Sequence, residues 1–538
     1  MVRASVHPRP RGSVGVNESS ETTISTSFRT EPPSRADVRK RNGARHYRTT
    51  MLGFAGSLMV MAGGFGSAAT MRQDPLMDRL FLSWLRFGHG EMMARAVLWV
   101  GIGVLIVSWL HVGQTAVAHR VSIRQMWGTA ALWSAPLIVA VPMFSRDAYS
   151  YLAQGALLRD GFDPYEVGPA INPGPLLDEV STMWMNTTAP YGPLSLLVAE
   201  RVTSISGDNV VFGVIALRLA MLPGLAMTMW AVPRIARHFG ADPVLAVWLA
   251  VLNPLVLVHA VGGVHNDMLM VGLLTVGLAC ALDRRMTLAV ALIALAATVK
   301  FTAGLALPFV AWMWIVHGPA RREHPDIGTG AMMRQLIPVG VVMAAVTATV
   351  FWVVSSWAGV GLGWLTGLTS TGAVVNWLTL PTAIAQATTV VLKPAISIEP
   401  AAALLVARAV GVIILVIALT VIWWSARQSE YAAIRGLLSA MVAVVVLSPF
   451  ALPWYYSWPL AIAAALSLSE VCRRWIVGLS VWVMIVFLPD GSTGMYNAAH
   501  VAVAVLLAWL ASRALALGRD GGGFYPPRST VAGNSSHA

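Results

Sequence analysis

Apolar runs of close to 20 residues recur along most of this chain, and they constrain its fold more than any other feature. A helix rises about 1.5 Å per residue, so about 20 residues cross the roughly 30 Å hydrocarbon layer of a bilayer. Because the runs are continuous rather than alternating, a closed β-barrel is excluded. We therefore predict an all-α polytopic membrane protein with about 14 transmembrane helices. The predicted spans cover residues 51–70, 93–112, 126–143, 209–232, 242–261, 267–282, 286–299, 301–317, 333–357, 401–424, 434–452, 455–470, 474–489 and 496–516.

The composition agrees with a membrane protein. Hydrophobic residues make up 56% of the chain and charged residues only 12%, whereas a soluble domain carries about twice that share of charge. The formal net charge of +12 would point to nucleic acid in a soluble protein. Here it is better explained by arginines in cytoplasmic loops facing anionic lipid, so we expect membrane lipids and no nucleic acid as partners. Cys280 and Cys472 are far apart in sequence, and we expect no disulfide.

The two ends of the chain are polar. Residues 1–50 end in the basic run "RADVRKRNGARHYR", which predicts a disordered basic cytoplasmic tail before a membrane domain at 51–516. Residues 517–538 predict a second disordered cytoplasmic tail. Counted from a cytoplasmic N-terminus, alternate loops are basic, among them those with Arg321 and Arg322, and the outer loops hold most of the acids. The outer acids are Asp147, Asp160, Asp163, Glu166, Asp178, Glu179, Asp208, Asp267 and Asp490.

The first long outer loop, residues 144–208, carries a helical pattern in "SRDAYSYLAQGALLRDG". Ser145 can cap this helix and Gly161 can end it, and we expect it to lie in the membrane interface. A second interfacial helix is predicted from Pro193, since proline is favoured in a first helical turn. Long ordered loops are often functional. Residues 358–400 are predicted to form another outer loop.

Asp147 falls in the first turn of the first predicted interfacial helix, beside Arg146. The helix dipole favours its ionised form and should weaken it as a base. Two interpretations remain open at this point: Asp147 caps the helix or pairs with Arg146, or it takes part in chemistry at the membrane surface.

Another polar cluster stands in "NPLVLVHAVGGVHNDMLMVGLL", where His265, Asn266 and Asp267 follow a Gly-Gly pair between two predicted helices. These side chains either cap a tight helical hairpin or hydrogen-bond a polar substrate. Together with His259 they lack a convincing spacing for a metal ion, so we predict no metal site.

Lys300 lies between two short apolar runs, in "AATVKFTAG". A lysine in this setting either snorkels to the interface or binds an anion. The aromatic run "LPWYYSWPL", which includes Trp454, predicts an interfacial belt or a stacking surface for a sugar or lipid. Walker, dinucleotide-binding and G-x-S-x-G motifs are all absent from the sequence, which favours a lipid-carried donor over a soluble nucleotide.

Several of these motifs together resemble one known family. "FSRDAYSYLAQGALLRDGFDPYEVGP", "TAPYGPLSL", "LNPLVLVHAVGGVHNDMLMVGL", "VGLGWLTGL", "NWLTLPT", "LPWYYSWPL" and "PDGSTGMYN" are similar to motifs of the actinobacterial polyprenol-phosphate-mannose-dependent α-(1→6)-mannosyltransferases. The likeness covers residues 51 to 516, and of the two branches of the family, A is the nearer.

The resemblance implies a GT-C-type glycosyltransferase in the bacterial plasma membrane, with its active site on the extracytoplasmic face. It implies transfer of mannose from polyprenyl-phosphate mannose to the 6-hydroxyl of a lipid-anchored α-(1→6)-mannan of lipomannan and lipoarabinomannan. It also implies inversion at the sugar, with Asp147 as the catalytic base. The candidates for binding the donor phosphate are Arg146, Lys300 and Arg159; those for binding sugar are His265, Asn266, Asp267, Tyr191 and Trp454.

Other functions stay open on the sequence. The same architecture could use another lipid-linked sugar such as arabinofuranose. A lipid or oligosaccharide transporter is a different class, which charges along a transmembrane pathway would favour. A non-catalytic scaffold would leave Asp147 dispensable. The sequence predicts no cofactor with certainty beyond the lipid-linked donor, and it leaves metal dependence, acceptor length and oligomeric state open.

Overall fold

The computed structural model describes residues 35–318, 328–367, 374–392, 396 and 399–517. These residues form helices joined by loops, and within them the only β-type pairing is one isolated bridge, between Phe487 and Thr493. Residues 1–34 and 518–538 of the predicted tails lie outside the described residues, as do Arg321 and Arg322.

The helices are numbered in chain order. Those of the first half are α1 Arg35–Ser67, α2 Pro75–Arg79, α3 Gly88–Val117, α4 Ile123–Ile138, α5 Asp147–Arg159, α6 Pro175–Asp178, α7 Pro193–Ser206, α8 Val210–His238, α9 Pro243–Ala250, a π-helix Val256–Gly262 and α10 Asp267–Leu282. Those of the second half are α11 Met286–Val299, α12 Leu307–His317, α13 Thr329–Ala358, α14 Trp364–Gly367, α15 Leu380–Leu392, α16 Pro400–Ser425, α17 Glu430–Leu447, α18 Ser457–Ala464, α19 Glu470–Val486 and α20 Ala498–Leu517. The 3-10 turns are Ser83–Arg86, Pro169–Ile171, Phe301–Ala306, Ala426–Gln428 and Pro453–Tyr456.

The described part of the chain is an all-helical polytopic membrane protein, with fewer full-length spans than the 14 predicted. Seven helices are long and apolar enough to cross a bilayer, or eight if the π-helix and α10, bent by 113°, count as one broken span. Several predicted spans are short helices packed inside the protein. The run at 242–261, for example, breaks into α9 and the π-helix, and those at 286–299 and 301–317 are helices of at most 17 residues.

Two other boundaries differ from the sequence-based expectation. Helix α1 begins at Arg35, so the basic residues before position 51 extend the first span as a helix rather than belonging wholly to a disordered tail. The predicted outer loop at 358–400 contains helix α15, which packs along α16. This helix is apolar but has only 13 residues, so a search for 20-residue runs does not find it.

The N-terminal half forms the packed centre. Helices α8 and α10 touch through their backbones at Gly224 and Gly272, where a Cβ on Gly272 would stand 2.4 Å from the Gly224 carbonyl oxygen. Small residues allow such close approach between membrane helices. By contrast, only 11% of the apolar window of α13 and 6% of that of α16 is buried. These two helices therefore lie at the periphery of the helical bundle.

Asp147 lies in the first turn of helix α5, as predicted, but the N-cap residue of the helix is Arg146 rather than Ser145, one residue later than expected; Gly161 follows its end with φ of +88°. The Ser145 hydroxyl accepts a hydrogen bond from the Asp147 amide at 3.0 Å. All residues from Asp147 to Leu157 are buried, because helix α5 packs against α7 and α8. The position of this helix in the membrane interface stays a prediction. The second helix of this segment, α7, does start at Pro193.

Candidate active site

A cavity of about 210 Å³ lies where four segments meet. It is smaller than the roughly 300–1,000 Å³ typical of sites for drug-sized ligands, which suits a single sugar ring. The segments are the start of α5, the loop before α7, the junction between α11 and α12, and the residues leading into α18. The lining side chains used below are Asp147, Ser150, Gln154, Tyr191, Lys300, Phe301, Trp454, Tyr455 and Trp458.

Asp147 faces this cavity with a side chain that is 12% exposed. Its Oδ2 lies 3.7 Å from Nδ1 of His265. Burial raises the pKa of the Asp147 carboxyl to about 6, against the opposing effects of the Ser145 hydrogen bond and the charge on Lys300. The expectation that the helix dipole would weaken this group as a base is therefore wrong in sign, since desolvation outweighs the favourable end of the helix.

Lys300 is held in the cavity wall by a second carboxylate. Its Nζ lies 3.0 Å from both Oδ1 and Oδ2 of Asp267, and it stands 4.1 Å from the ring centre of Tyr455. Asp267 also accepts a hydrogen bond from the Trp458 indole. The lysine thus does not snorkel to an interface. Asp267 is fully buried and orients Lys300 rather than facing the cavity itself.

The other predicted sugar-binding residues divide into two groups. Tyr191 and Trp454 line the cavity. His265 and Asn266 are fully buried behind it: His265 stacks on Trp454 with ring centres 3.5 Å apart, and Asn266 donates to the Ser195 hydroxyl at 3.0 Å. The side chain of Asn266 makes no capping bond to α10. Neither residue lines the cavity, and His265 Nε2 and Asn266 Oδ1 are buried without a hydrogen-bond partner within the protein.

The two arginines predicted to bind a donor phosphate are engaged elsewhere. Arg146 forms an ion pair with Glu179 at 2.6 Å and donates to the carbonyl of Thr70. Arg159 is paired with Asp160 and Asp208. Neither arginine lines the cavity, because the backbone of α5 directs both away from Asp147. Among the three predicted cations only Lys300 reaches the site.

Two cavity residues were missed in the sequence. Ser150 and Gln154 follow Asp147 on α5 at i+3 and i+7, which places all three on one helix face. Both are 3% exposed, and both the Ser150 hydroxyl and the Gln154 Oε1 have no hydrogen-bond partner within the protein. Buried polar atoms are nearly always satisfied, so these two atoms indicate a ligand that supplies the bonds. Their helical spacing from Asp147 was the available signal.

No group of three or more His, Cys, Asp or Glu side chains within the described ranges is arranged to hold a metal ion. Burial disfavours the ionised form of Asp147, whereas Asp267 is paired with Lys300.

This polytopic helical membrane protein has a buried carboxylate, a lysine paired with a second carboxylate, and aromatic rings around one small cavity, as expected of a membrane enzyme that acts on a sugar. Comparison with known proteins gives the family. The model for the N-terminal domain of α-(1→6)-mannopyranosyltransferases matches residues 50–316, and the model for the MptB C-terminal domain matches residues 381–517. The chain belongs to the α-(1→6)-mannopyranosyltransferase family.

Individual relatives agree. The chain is 46% identical to α-(1→6)-mannopyranosyltransferase A of Mycobacterium tuberculosis over 461 residues, covering 85% of this chain and 88% of the relative. It is 38% identical to the A enzyme of Corynebacterium glutamicum, covering 84% and 95%. Identity to the B enzyme of the latter organism is 29%, covering 82% and 76%. The chain is thus a mannosyltransferase nearer to these A enzymes than to that B enzyme.

Proposed function

We propose that this protein transfers mannose from polyprenyl-phosphate mannose to the 6-hydroxyl of a growing α-(1→6)-mannan in lipomannan and lipoarabinomannan synthesis. It would do so as a GT-C-type enzyme of the plasma membrane with its cavity on the extracytoplasmic face. The observation that carries the proposal is the placement of Asp147 and Lys300 on one cavity of sugar size. A base and a cation facing each other are what displacement of a phosphate by an alcohol requires.

The proposed reaction is a single displacement. The acceptor oxygen attacks the anomeric carbon of mannose, the bond from that carbon to the phosphate oxygen breaks, and Asp147 takes the proton of the hydroxyl. The configuration at the anomeric carbon inverts from the β-linked phosphate to the α-mannoside, as in inverting glycosidases that use a carboxylate base. A pKa of about 6 leaves Asp147 ionised at neutral pH while making it a stronger base than an ordinary aspartate.

Lys300 would stabilise the phosphate as it leaves with the electron pair. Two of its directions are taken by the oxygens of Asp267, so the ammonium is fixed in place before the donor arrives. A pre-positioned charge lowers the barrier because no reorganisation is needed during the reaction. Tyr455 and Trp458, whose ring centres lie 4.1 and 5.1 Å from Nζ, keep water away from that charge.

The sugar itself would be recognised by α5 and by the aromatic wall. The unpartnered Ser150 and Gln154 atoms can bond sugar hydroxyls, and Tyr191 and Trp454 present ring surfaces at the cavity. A site built to hydrogen-bond hydroxyl groups discriminates strongly against ligands that lack them, because its own buried polar atoms would then stay unpaired.

An apolar groove next to this cavity supports the proposed binding of a polyprenyl chain. A groove of about 920 Å³, lined mostly by apolar atoms, runs between the start of α12 and the outer part of α13. Phe301 lines both the groove and the sugar cavity, directly after Lys300 in the chain. A donor with its phosphate at Lys300 can therefore pass its isoprenoid chain over Phe301 into the groove. There the rings of Phe351 and Trp364 stack near Phe301, with centres 6.1 and 5.2 Å away.

A larger side chain in the groove should raise the KM for long-chain donors more than the KM for short-chain donors. Gly340 of α13 lines the groove, and a Cβ there meets no atom within 4 Å. Gly340→Leu is expected to raise the KM for a long-chain donor about tenfold and to leave a donor with two isoprene units nearly unaffected, since each buried CH₂ contributes about 0.8 kcal/mol. Initial rates with the two donors measure this.

The matched control for that variant is Gly330→Leu. Gly330 lies on the same helix with equally open space around it but outside the groove. Leucine favours helix more than glycine does, so both variants should fold. The groove would be shown not to bind the donor if Gly340→Leu affected both donors equally. The same conclusion would follow if Gly330→Leu had as large an effect as Gly340→Leu.

The proposal as a whole is tested with the purified chain, labelled polyprenyl-phosphate mannose and a short α-(1→6)-mannoside. We expect a mannoside longer by one unit through a new α-(1→6) bond, and no product from polyprenyl-phosphate arabinofuranose. Product from the arabinose donor alone would assign another lipid-linked sugar. Movement of the lipid or oligosaccharide across sealed vesicles without a new glycosidic bond would instead support a transporter.

A further inference from the structure

A fully buried arginine lies behind the candidate site and takes no part in the chemistry proposed above. Arg218 of α8 has an exposed fraction of 0%. Its Nε donates to the Val261 carbonyl at 2.8 Å, its Nη2 donates to those of Ala140 and Gly262 at 2.9 Å each, and its Nη1 donates to that of Ile138. Within the described residues no carboxylate forms an ion pair with it. A buried cation inside a membrane protein is expensive and usually functional.

The four carbonyls explain how the charge is tolerated. Helix α4 ends at Ile138 and the π-helix ends at Gly262, so the guanidinium stands at the C-termini of two helices at once. The carbonyls at a helix C-terminus carry a partial negative charge and lack partners within the helix. The planar fork of arginine satisfies several of them in fixed directions, which a lysine cannot do.

Both helix ends lead, within a few residues, to the groups of the candidate site. The chain runs from Ala140 through Phe144 to Asp147, and from Gly262 through Val264 to His265. Phe144 and Val264 each have φ of +60°, a conformation that is uncommon for a non-glycine residue and a clear outlier for a β-branched one. Such strain persists only where the surroundings over-determine the backbone.

The two segments also touch each other. A Cβ on Gly263 would stand 2.9 Å from the Met143 carbonyl oxygen, so glycine is needed where the segments cross. Asp147 Oδ2 and His265 Nδ1 then face each other at 3.7 Å. The only side chain that hydrogen-bonds the carbonyls of both helix ends within the described residues is that of Arg218.

We propose that Arg218 is a positioning residue, which fixes the α5 start carrying Asp147 against the turn carrying His265 and Asp267, and through Asp267 against Lys300. This inference rests on the proposed function for its kinetic consequence. A displacement of about 1 Å between catalytic groups can cost about 10²-fold in rate. The residue therefore sets the distance between the base and the phosphate-binding lysine without touching a substrate.

The experiment compares Arg218→Lys with Arg86→Lys in the purified full chain. Arg86 donates to the carbonyls of Phe65 and Met71 and pairs with Asp74, so its replacement removes a similar fork that binds neither of the two segments. For Arg218→Lys we expect kcat to fall about 10²-fold and the KM values for donor and acceptor to change less than about threefold. Arg86→Lys should stay near the native kcat.

Hydrogen exchange gives a second readout that does not depend on activity. In Arg218→Lys the amides of residues 139–147 and 261–268 should exchange faster than in the native chain, while those of α1 and α3 stay unchanged. If the lysine variant is not recovered from membranes, Arg218→Gln, which keeps two donors, replaces it. We expect the same faster exchange of residues 139–147 and 261–268 in that variant.

Three results would overturn the inference: a native kcat in Arg218→Lys, exchange that rises evenly over the whole chain, or a loss confined to the KM for the donor. If the native chain itself transfers no mannose, the proposed function fails. The exchange comparison then still decides whether Arg218 holds the two segments, since a local rise supports that role and an unchanged pattern contradicts it.

Discussion

Asp147→Asn is expected to reduce mannosyl transfer about 10³-fold, since a positioned general base contributes about 10² to 10⁴-fold. The amide keeps the shape of the side chain and can still accept the hydrogen bonds offered to it, but it cannot take the acceptor proton. The thermal midpoint in detergent should stay at or above that of the native chain. Rates with saturating donor and acceptor, together with the midpoint, measure both effects.

The sign of the stability effect follows from the pKa. Burial raises the pKa of Asp147 from 3.8 to about 6, so the folded chain holds this proton more tightly than the unfolded chain does. The stability that the protonated form contributes is complete below pH 3.8 and is lost as the pH rises to 6. At pH 7.5 the ionised carboxylate therefore costs stability, on the order of 3 kcal/mol for a shift of this size, and asparagine removes that cost.

The same pKa predicts the pH dependence of the native chain. kcat/KM should fall tenfold per unit below pH about 6, because the base must be ionised. Asp178→Asn is the matched control, as Asp178 is an exposed acid of the same outer segment. It should keep the native rate and profile. Near-normal transfer by Asp147→Asn, or a pH profile flat down to pH 4.5, would show that another group accepts the proton.

Removing the lysine together with its partner should have the second largest effect. Lys300→Met alone would leave Asp267 as an unpaired buried charge, which typically lowers the free energy of unfolding by about 3–5 kcal/mol. A loss of activity in that variant could then come from misfolding rather than from the chemistry. The double variant Lys300→Met with Asp267→Asn removes both charges, and its asparagine can still accept the Trp458 indole bond. We expect it to fold and to lose about 10²-fold in kcat, since no cation remains to meet the leaving phosphate.

Asp267→Asn by itself is the comparison for that variant, because it keeps the Lys300 ammonium but removes its carboxylate partner. It should retain more activity than the double variant. The thermal midpoint in detergent separates a loss of folding from a loss of catalysis in both variants. If the double variant transfers mannose at the native rate, Lys300 serves only to neutralise Asp267, and the phosphate must be met by another group. The measurement is the initial rate over a range of donor concentrations at fixed acceptor.

Local signals in the sequence predicted local structure well. The start of α5 at Asp147 and of α7 at Pro193 follow from capping and turn residues within a few positions. The burial of α5 could not be predicted in this way, because it depends on α7 and α8 packing around it. The predicted number of 14 spans is not confirmed for a related reason: apolar composition does not distinguish a continuous helix from a run that is broken into short helices, as at 242–261.

The candidate site was predicted in part. Asp147, Tyr191, Lys300 and Trp454 do meet at one cavity. Lys300 pairs with Asp267, 33 positions away, and Asp267 pairs with Trp458, 191 positions away. Such long-range pairings produce no pattern in the local sequence from which they could be predicted. Arg146 was expected at the site because it neighbours Asp147 in sequence, but successive residues of a helix point in different directions. Desolvation of Asp147 also depends on these distant contacts, so a local dipole argument had the wrong sign.

The groove beside Phe301 has a peripheral helix as one wall, and that helix is 11% buried over its apolar window. The proposed lipid-linked donor would therefore enter the groove laterally from the bilayer without passing through water. The donor then reaches the enzyme by lateral diffusion, and its rate of arrival depends on the density of donor molecules in its leaflet of the bilayer. Apparent donor affinities should accordingly scale with mole fraction in the membrane or micelle, so that diluting a fixed amount of donor with inert lipid slows the enzyme even when the volume is unchanged.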